Sequence, residues 1–343
     1  MISMEEYGPF QRWFGDFGGG FCADDITNYD QEQLARRLAD HLADPSFEPL
    51  FQSMLKLVLP AGLRAAACFE LADKRRLYRA DNLSWYYSLA GQLALAQLDG
   101  KTRLCAGTRV DQECLILARA AQALGMELTL VLSRNQAQNH SLAEELSALG
   151  CIVDRTTCVK WPDSPYAYAM YHCESTPDVY VLTLEANFGC YPYPSLTGIL
   201  AGKFGEALYN QSTGLSIDGV VVPIVTGTEA VGALRPWLKS DSGAALMTVE
   251  QPICEEYHIT DMGAYTLATR SADSEEPNTT LCPELVSWWR SAKVARLGCD
   301  HYKAVDTAFL SGFGFTPAGA RAAALALSQT DCRSLLILEV HHG

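Results

Sequence analysis

Residues 102–132, TRLCAGTRVDQECLILARAAQALGMELTLVL, hold two short apolar segments on either side of a helical one. Thr102–Ala106 and Glu127–Leu132 have the length and apolar content of buried strands. Between them, Asp111–Leu124 has helical spacing and stops at Gly125, as a glycine C-cap would stop it. A strand, a helix and a second strand in this order predict a βαβ unit with parallel strands.

The same alternation extends in both directions. A strand at Arg76–Asn82 precedes a helix at Ser84–Leu98, and a helix at Ser141–Leu149 follows Leu132. The remaining predicted elements are the strands Cys151–Asp154, Val179–Leu184, Val220–Val225, Ala244–Glu250 and Ser334–Val340 and the helices Pro194–Tyr209, Glu229–Leu238, His301–Ser311 and Pro317–Ser328. This pattern predicts an α/β fold of three-layer parallel sheets, which bind ligands at the carboxyl ends of their strands.

Composition excludes several classes of protein. The chain has 343 residues, 48% hydrophobic and 19% charged, so it is globular and long enough for two lobes. The net charge of −14 argues against nucleic-acid or membrane-surface partners, and the tightest basic group, Lys74, Arg75, Arg76 and Arg79, is small. No apolar run could span a membrane, and the start has no basic segment followed by an apolar block. We therefore expect a cytoplasmic protein.

Cysteine and histidine usage predicts neither disulfides nor a metal. The 12 cysteines are spread from Cys22 to Cys332 and none forms a CxxC pair, which favours reduced thiols. His341 and His342 have no cysteine cluster beside them.

The order of motifs resembles the tryptophan synthase β-subunit family, within the fold-type-II group of pyridoxal-phosphate (PLP) enzymes. The resemblance starts at residues 14–21, FGDFGGGF, and continues through 91–101, GQLALAQLDGK, a helix that ends in a Gly-Lys turn. Residues 191–194, YPYP, are similar to the family's His-Pro-Tyr-Pro, with Gly205-Glu206 in the same helix. Each motif is weak, and their common order along nearly the whole chain carries the resemblance.

The resemblance implies two lobes around a central active-site cleft. One lobe would combine residues 1–50 with 84–190, and the other 51–83 with 191–343. The family's enzymes form homodimers, which we expect here. They also dock an α-subunit, which we do not expect for this shorter chain.

The lysine that holds PLP in the family is missing. Its place falls on Trp85 when counted back from Gly91, or on Leu89 when counted forward from Asp81. No lysine occurs between Lys74 and Lys101. An imine needs an amine, so covalent PLP catalysis is predicted to be lost.

The family's Gly-Gly-Gly-Ser-Asn phosphate loop is altered too. Residues 225–229 read VTGTE, with one glycine and a carboxylate. Glu229 complements the helix dipole but would repel a phosphate dianion. The two changes together predict that no cofactor is bound, and they leave Thr226, Thr228 and Glu229 as substrate-binding candidates.

The loop that carries the family's catalytic glutamate and grips the substrate carboxylate aligns with residues 107–113, GTRVDQE. Thr108 and Gln112 are retained, and the catalytic glutamate falls on Gly107. Arg109 could bind a carboxylate or pair with Asp111, which is a normal N-cap residue. Glu113 is a candidate general acid/base or a dipole-complementing side chain. Next to it, Cys114 is a nucleophile with a lowered pKa or a buried structural thiol.

Aromatic residues occupy the loop that the lysine has vacated. Trp85 and Tyr86 could fill the volume of the cofactor ring or form a stacking wall for a ligand, and Tyr86 is also a catalytic candidate. Tyr191 follows a predicted strand and is a substrate-binding candidate.

Three hypotheses for function follow. The first is a PLP-independent lyase, cyclase or addition catalyst of specialised biosynthetic metabolism, which acts by acid/base chemistry and shape on a small aromatic or carboxylate-bearing intermediate. The second is a non-catalytic protein that binds a small molecule or regulates a partner. The third is a PLP-dependent β-replacement enzyme with a relocated lysine.

Overall fold

The structure is a computed structural model that describes most of the regular elements of the chain. The described residues are 11–13, 19–21, 40–59, 67–108, 110–154, 169, 176, 178–182, 184, 193–224, 227–240, 242–250, 254–259, 265–269, 279–280, 285, 288–289, 291–297, 310 and 312–339. For 11–21, 134–135, 193–199, 228–229, 250 and 254–280, only the backbone of those residues is described.

The chain divides into two compact units. The first unit contains 1–59, 86–197 and 271–278, and the second contains 60–85, 198–270 and 279–343. Among the described helices, none has the length and apolar content needed to cross a membrane.

The first unit is built on a four-stranded parallel sheet. Its strand order is β7-β6-β5-β8. The strands are β5 (Arg103–Thr108), β6 (Glu127–Leu132), β7 (Ile152–Asp154) and β8 (Val179–Leu182), and a hairpin of β1 (Gln11–Trp13) and β2 (Gly19–Phe21) belongs to the same unit. The helices are α1 (Phe47–Val58), α2 (Ser84–Leu98, which begins at the boundary between the units), α3 (Asp111–Leu124), α4 (Arg134–Gln138) and α5 (His140–Ala148).

Helix α2 is buried on nearly all sides. Leu89, Leu93 and Ala94 are fully buried, as is the polar Gln92, whose amide donates to Ser88 Oγ at 3.2 Å. A helix that is apolar all round lies inside a domain rather than on its surface. Helix α2 therefore lies inside its unit, with residues 88–96 all buried.

The second unit is built on a six-stranded sheet of order β14-β10-β9-β15-β4-β3, parallel except for the edge strand β3. The strands are β3 (Ala67–Glu70), β4 (Arg76–Asp81), β9 (Gly219–Ile224), β10 (Ala245–Glu250), β14 (Ala295–Leu297) and β15 (Ser334–Glu339). The helices are α6 (Tyr193–Ser212), α7 (Thr228–Lys239) and α8 (Pro317–Gln329), and a separate antiparallel sheet contains β11 (Cys254–Ile259), β12 (Tyr265–Thr269) and β13 (Thr279–Thr280).

Two strands of this sheet show why it is parallel. All six residues of β9 and all six of β15 are buried, so both faces of the sheet are covered. Continuous apolar strands of this kind are typical of parallel sheets between helices. The predicted parallel α/β fold is confirmed.

The antiparallel elements differ from prediction. Thr279–Thr280 forms the short strand β13, which pairs with β12. Strand β3 was not predicted because only four residues, ACFE, carry its pattern.

Candidate active site

The carboxyl end of β5 carries a buried pair, Thr108 and Glu113. The exposed fractions are 1% for Thr108 and 4% for Glu113. The Thr108 hydroxyl donates to Glu113 Oε2 and accepts from the Val110 backbone N–H at 3.2 Å. Glu113 lies in the first turn of α3, where the helix dipole also favours a carboxylate. The structure therefore brings together two predicted site residues.

The other predicted residues of this loop are more exposed. Helix α3 begins at Asp111, and its N-cap is Val110, so the prediction of Asp111 as N-cap is corrected by one position. Asp111 is exposed and accepts from the Asn139 side-chain amide at 3.0 Å. Gln112 is exposed in the same turn. Both side chains can be reached by a ligand from solvent.

Cys114 is a structural thiol. It is fully buried, and its Sγ accepts from the Gln136 side chain at 3.5 Å. Burial, and secondarily the charges of Glu113 and Asp111, raise the pKa of Cys114 to about 12. A thiol with so high a pKa has almost no thiolate at neutral pH, which excludes the nucleophile interpretation.

Gln136 is a residue of this edge that the sequence analysis missed. Its side-chain oxygen accepts from the Ser133 backbone N–H at 3.0 Å, and Ser133 Oγ accepts from the Gln136 N–H at 3.4 Å. This capping box holds the Gln136 side-chain amide in the position from which it contacts Cys114. The contact connects the segment between β6 and α4 to the first turn of α3. The Ser-x-x-Gln spacing was the available signal.

The first turn of α2 contains the aromatic residues that lie where the resemblance places the family's lysine. Trp85 is half-buried and Tyr86 is 9% exposed. Tyr87 contacts the Phe51 ring at 5.8 Å between centroids, and burial raises the pKa of its phenol. The burial of Tyr86 and Tyr87 fits the volume-filling alternative, while the catalytic role of Tyr86 stays a prediction.

The carboxyl end of β9 in the second unit leads into a glycine turn. Gly227 is buried, has φ +91°, and is the N-cap of α7. Its carbonyl accepts from the N–H groups of Ala230 (3.1 Å) and Val231 (3.0 Å). The first N–H groups of a helix have no intrahelical acceptor and attract anions.

Close helix packing supports this turn. A Cβ on Gly205 of α6 would lie 2.1 Å from the Gly232 carbonyl oxygen, and a Cβ on Gly232 would lie 2.4 Å from Ala201 Cβ. Only glycine permits this approach of α6 to α7, which accounts for the Gly205 of the Gly-Glu motif.

Glu339, at the carboxyl end of β15, is a second buried carboxylate that the sequence analysis missed. It is 1% exposed and accepts from the Thr316 backbone N–H at 3.1 Å and from the Thr316 hydroxyl. A Cβ on Gly319 would lie 2.5 Å from its Oε1. The signal was a glutamate after five buried residues of a strand.

None of the described lysines belongs to these strand ends. Three of them precede strands and lie at their amino ends, namely Lys74 before β4, Lys101 before β5 and Lys293 before β14. The other three lie on helices, namely Lys56 on α1, Lys203 midway along α6 and Lys239 at the last position of α7.

Several predicted site residues cannot be placed. Arg109, Tyr191 and Thr226 lie outside the described residues, and Thr228 and Glu229 are described as α7 backbone only. Their roles stay predictions.

Comparison with known proteins identifies the class of fold. No family model and no curated sequence matches the chain. Solved structures do match, although few of their residues are identical to this chain. One is an L-serine ammonia-lyase from the fungus Rhizomucor miehei, with a TM-score of 0.53 and 12% identity over 80% of this chain and 93% of the other.

Two further matches are threonine deaminases. The processed form of isoform 2 from Solanum lycopersicum matches with a TM-score of 0.57 and 14% identity over 92% of this chain and 91% of the other. The enzyme from T.th. matches with a TM-score of 0.56 and 17% identity over 86% and 97%. The chain therefore has the fold of fold-type-II PLP enzymes, as the resemblance implied.

These matches contradict the prediction that the chain binds no cofactor, because the fold that it shares is that of PLP-dependent enzymes. The backbone fits part of that cofactor. Gly227 and the start of α7 suit a phosphate, which needs only close N–H donors. Residues 75–100, where the resemblance places the family's lysine, contain no lysine. The prediction was wrong, and it rested on the side chains of VTGTE without the backbone N–H groups at the helix start, which can attract an anion.

Proposed function

We propose that this chain is a divergent lyase of the fold-type-II PLP class that acts on a small amino acid or a related carboxylate. The names of the matched structures, a serine ammonia-lyase and threonine deaminases, suggest this substrate class. The observation that carries the proposal is the buried Thr108–Glu113 pair, because it places an acid/base group at the strand end where such folds bind substrates.

The pair can move a proton without exposing a charge to water. Thr108 Oγ1 donates to Glu113 and accepts from Val110 N–H, which leaves one lone pair on the hydroxyl oxygen. Thr108 Oγ1 would take a proton from the substrate. At the same time, the proton already on this hydroxyl would pass to Glu113. Asp111 and Gln112, both exposed, would contact the polar groups of the substrate.

The cofactor would be held by its phosphate at Gly227 and the first N–H groups of α7. When bound, PLP supplies an electron sink for charge that develops on the substrate. Residues 75–100 contain no lysine, so attachment would rely on contacts of the phosphate and ring. A homodimer without an α-subunit stays a prediction.

Two alternatives remain open. The Thr108 hydroxyl and the dipole of α3 already satisfy Glu113, which suits a non-catalytic protein that binds a small molecule. A relocated lysine is the other, and Lys160 and Lys303 lie outside the described residues.

Binding of PLP can be measured first. The protein is mixed with PLP, its absorbance spectrum is recorded, and one half is treated with borohydride before peptide mass mapping. We expect bound PLP that dialysis removes and that leaves no lysine adduct. Gly227→Ala, which strains a left-handed position, should weaken binding. An adduct on any lysine would establish the relocated-lysine alternative, and no binding at all would reject the proposal.

Turnover is then tested with L-serine and L-threonine by following ammonia and 2-oxo acid. Glu113→Gln should lower kcat about 10²-fold or more, because the amide cannot take the proton. Glu144→Gln, an exposed glutamate on α5, is the matched control and should leave kcat unchanged. Equal kcat in both variants would remove Glu113 from the mechanism, and binding without turnover would favour the non-catalytic alternative.

A further inference from the structure

A charged cavity lies at the amino edge of the six-stranded sheet, away from the strand ends discussed above. Its volume is about 820 Å³, and it is open to solvent, with lining residues that are exposed or half-buried. It opens between the β3–β4 turn and the loop from α8 to β15. All of its lining residues belong to the second unit, so the cavity depends on one compact unit alone.

One charged pair in the cavity is internally satisfied. Arg75 Nε donates to Asp73 Oδ2 at 2.6 Å, and Arg75 Nη1 donates to the Leu327 carbonyl at 2.8 Å. The hydrogen bonds from Arg75 to its carboxylate lower the pKa of Asp73, which keeps it ionised. This pair forms a wall of the cavity and adds no net charge.

Three further charged groups line the same cavity. They are the Lys74 ammonium, the Arg333 guanidinium and the Asp331 carboxylate. Over the residues that the structure describes, none of these side chains forms an ion pair or a hydrogen bond. The Arg333 backbone is held in place, since its N–H donates to Asp218 Oδ2 at 2.9 Å. Two cations and one anion thus face the same space.

Lys74 occupies a backbone position that favours glycine. Its φ is +68°, and the turn is closed by hydrogen bonds from Leu71 N–H to the Arg75 carbonyl (2.8 Å) and from Lys74 N–H to the Leu71 carbonyl (2.9 Å). A side chain in the left-handed region is unfavourable for any residue with a Cβ. A lysine at this position lowers the stability of the fold, because its Cβ disfavours the left-handed backbone. A role for its ammonium in ligand binding would account for a lysine here.

The end of α8 adds a site for a cation. The Ala326 and Leu327 carbonyls already accept hydrogen bonds from Thr330 and Arg75, so this helix end attracts positive charge through its dipole. Ser328 and Gln329, in the last turn of α8, line the cavity beside Asp331. The helix end and Asp331 both disfavour a dianion such as phosphate and favour an ammonium.

We propose that this cavity binds a small zwitterion of the α-amino acid class, with its carboxylate between Lys74 and Arg333 and its ammonium between Asp331 and the end of α8. The site is separate from the proposed active site and does not depend on any activity of the chain. The basic group that the sequence analysis singled out thereby gains a function.

The test is calorimetric titration of the purified protein with L-serine, L-threonine and glycine, compared with acetate, methylammonium and inorganic phosphate. The variants are Lys74→Gly and Arg333→Gln. Arg76→Gln is the matched control, an exposed arginine of the same basic group that does not line the cavity.

An amino acid should bind to the wild-type protein and to Arg76→Gln with the same affinity. It should bind to Lys74→Gly and to Arg333→Gln at least tenfold more weakly. Acetate and methylammonium should bind more weakly than the zwitterion. Lys74→Gly should keep or raise the melting temperature, which separates loss of binding from loss of fold. If the amino acid also binds at the active site, the wild-type protein will bind two molecules. Lys74→Gly and Arg333→Gln will then bind only the one at the active site.

Three results would overturn the proposal. The first is no amino-acid binding at tens of millimolar, and the second is equal affinity and stoichiometry in the wild-type, Lys74→Gly and Arg333→Gln proteins. The third is tighter binding of phosphate than of any amino acid with the same dependence on the variants, which would make the cavity an anion site.

Discussion

The carboxyl ends of β5 and β9 both lead into a helix, yet the two turns are closed in different ways. After β5, side chains close the turn: the Thr108 hydroxyl bonds to Glu113, inside the first turn of α3. After β9, the backbone closes it: Gly227 adopts φ +91° at the start of α7. The first turn offers acid/base groups, and the second offers close N–H donors. The two turns therefore hold their residues in place by different means, one by side chains and one by the backbone.

The largest expected effect concerns the helix packing behind the Gly227 turn. Gly232→Ala would place a Cβ 2.4 Å from Ala201 Cβ, and nearby backbone atoms leave it little room. Overpacking of this kind should lower the free energy of unfolding by about 3 kcal/mol, as measured by urea denaturation.

Gly202→Ala on α6 is the control for that variant, because no atom lies within 4 Å of its added Cβ. It should be neutral or stabilising by about 0.5–1 kcal/mol. If Gly232→Ala changes the unfolding free energy as little as Gly202→Ala does, the turn after β9 does not depend on close contact between α6 and α7. The proposed difference between this turn and the β5 turn would then lose its support.

A smaller effect is expected at the β5 turn. Thr108→Val keeps the shape of the side chain but removes the hydroxyl that donates to Glu113 and accepts from Val110 N–H. Two buried polar groups then lose a partner, which should cost about 2 kcal/mol of unfolding free energy in urea denaturation.

Thr108→Ser keeps the hydroxyl and is the matched control, with an expected loss under about 1 kcal/mol. Similar losses in both variants would mean that the methyl group, not the hydrogen bond, stabilises the turn. The turns after β5 and β9 would then differ less in what stabilises them than their contacts suggest.

Local patterns in the sequence predicted much of this fold. Helix α3, Asp111–Leu124, and strand β6, Glu127–Leu132, begin and end where their periodicity placed them. Both are long, regular elements with a glycine or a polar residue at each boundary. The candidate pair Thr108 and Glu113 was also accessible, since they lie five residues apart in one strand–turn–helix segment.

What the sequence did not predict depends on contacts between distant segments. Glu339 bonds to Thr316 across 23 residues, and Gln136 reaches Cys114 across 22. No local period encodes either contact. The interpretation of residues 225–229 considered their side chains and left out the backbone N–H groups at the helix start, which can attract an anion.

The smallest expected effect concerns the pH dependence that the β5 turn imposes on Cys114. Its pKa is raised to about 12 in the folded state, so unfolding releases a proton when the pH exceeds the ordinary thiol value of about 9. The contribution of the neutral Cys114 thiol to the free energy of unfolding is therefore fully present below pH 9 and is lost as the pH rises toward 12.

Between pH 8 and 10, the wild-type protein should lose about 1.4 kcal/mol more unfolding free energy than Cys114→Ala, measured by urea denaturation. The other titrating groups are common to both proteins and cancel in this difference. An identical pH dependence in the two proteins would mean that Cys114 ionises as readily in the fold as in the unfolded chain. Burial beside two carboxylates would then not control the chemistry of this turn.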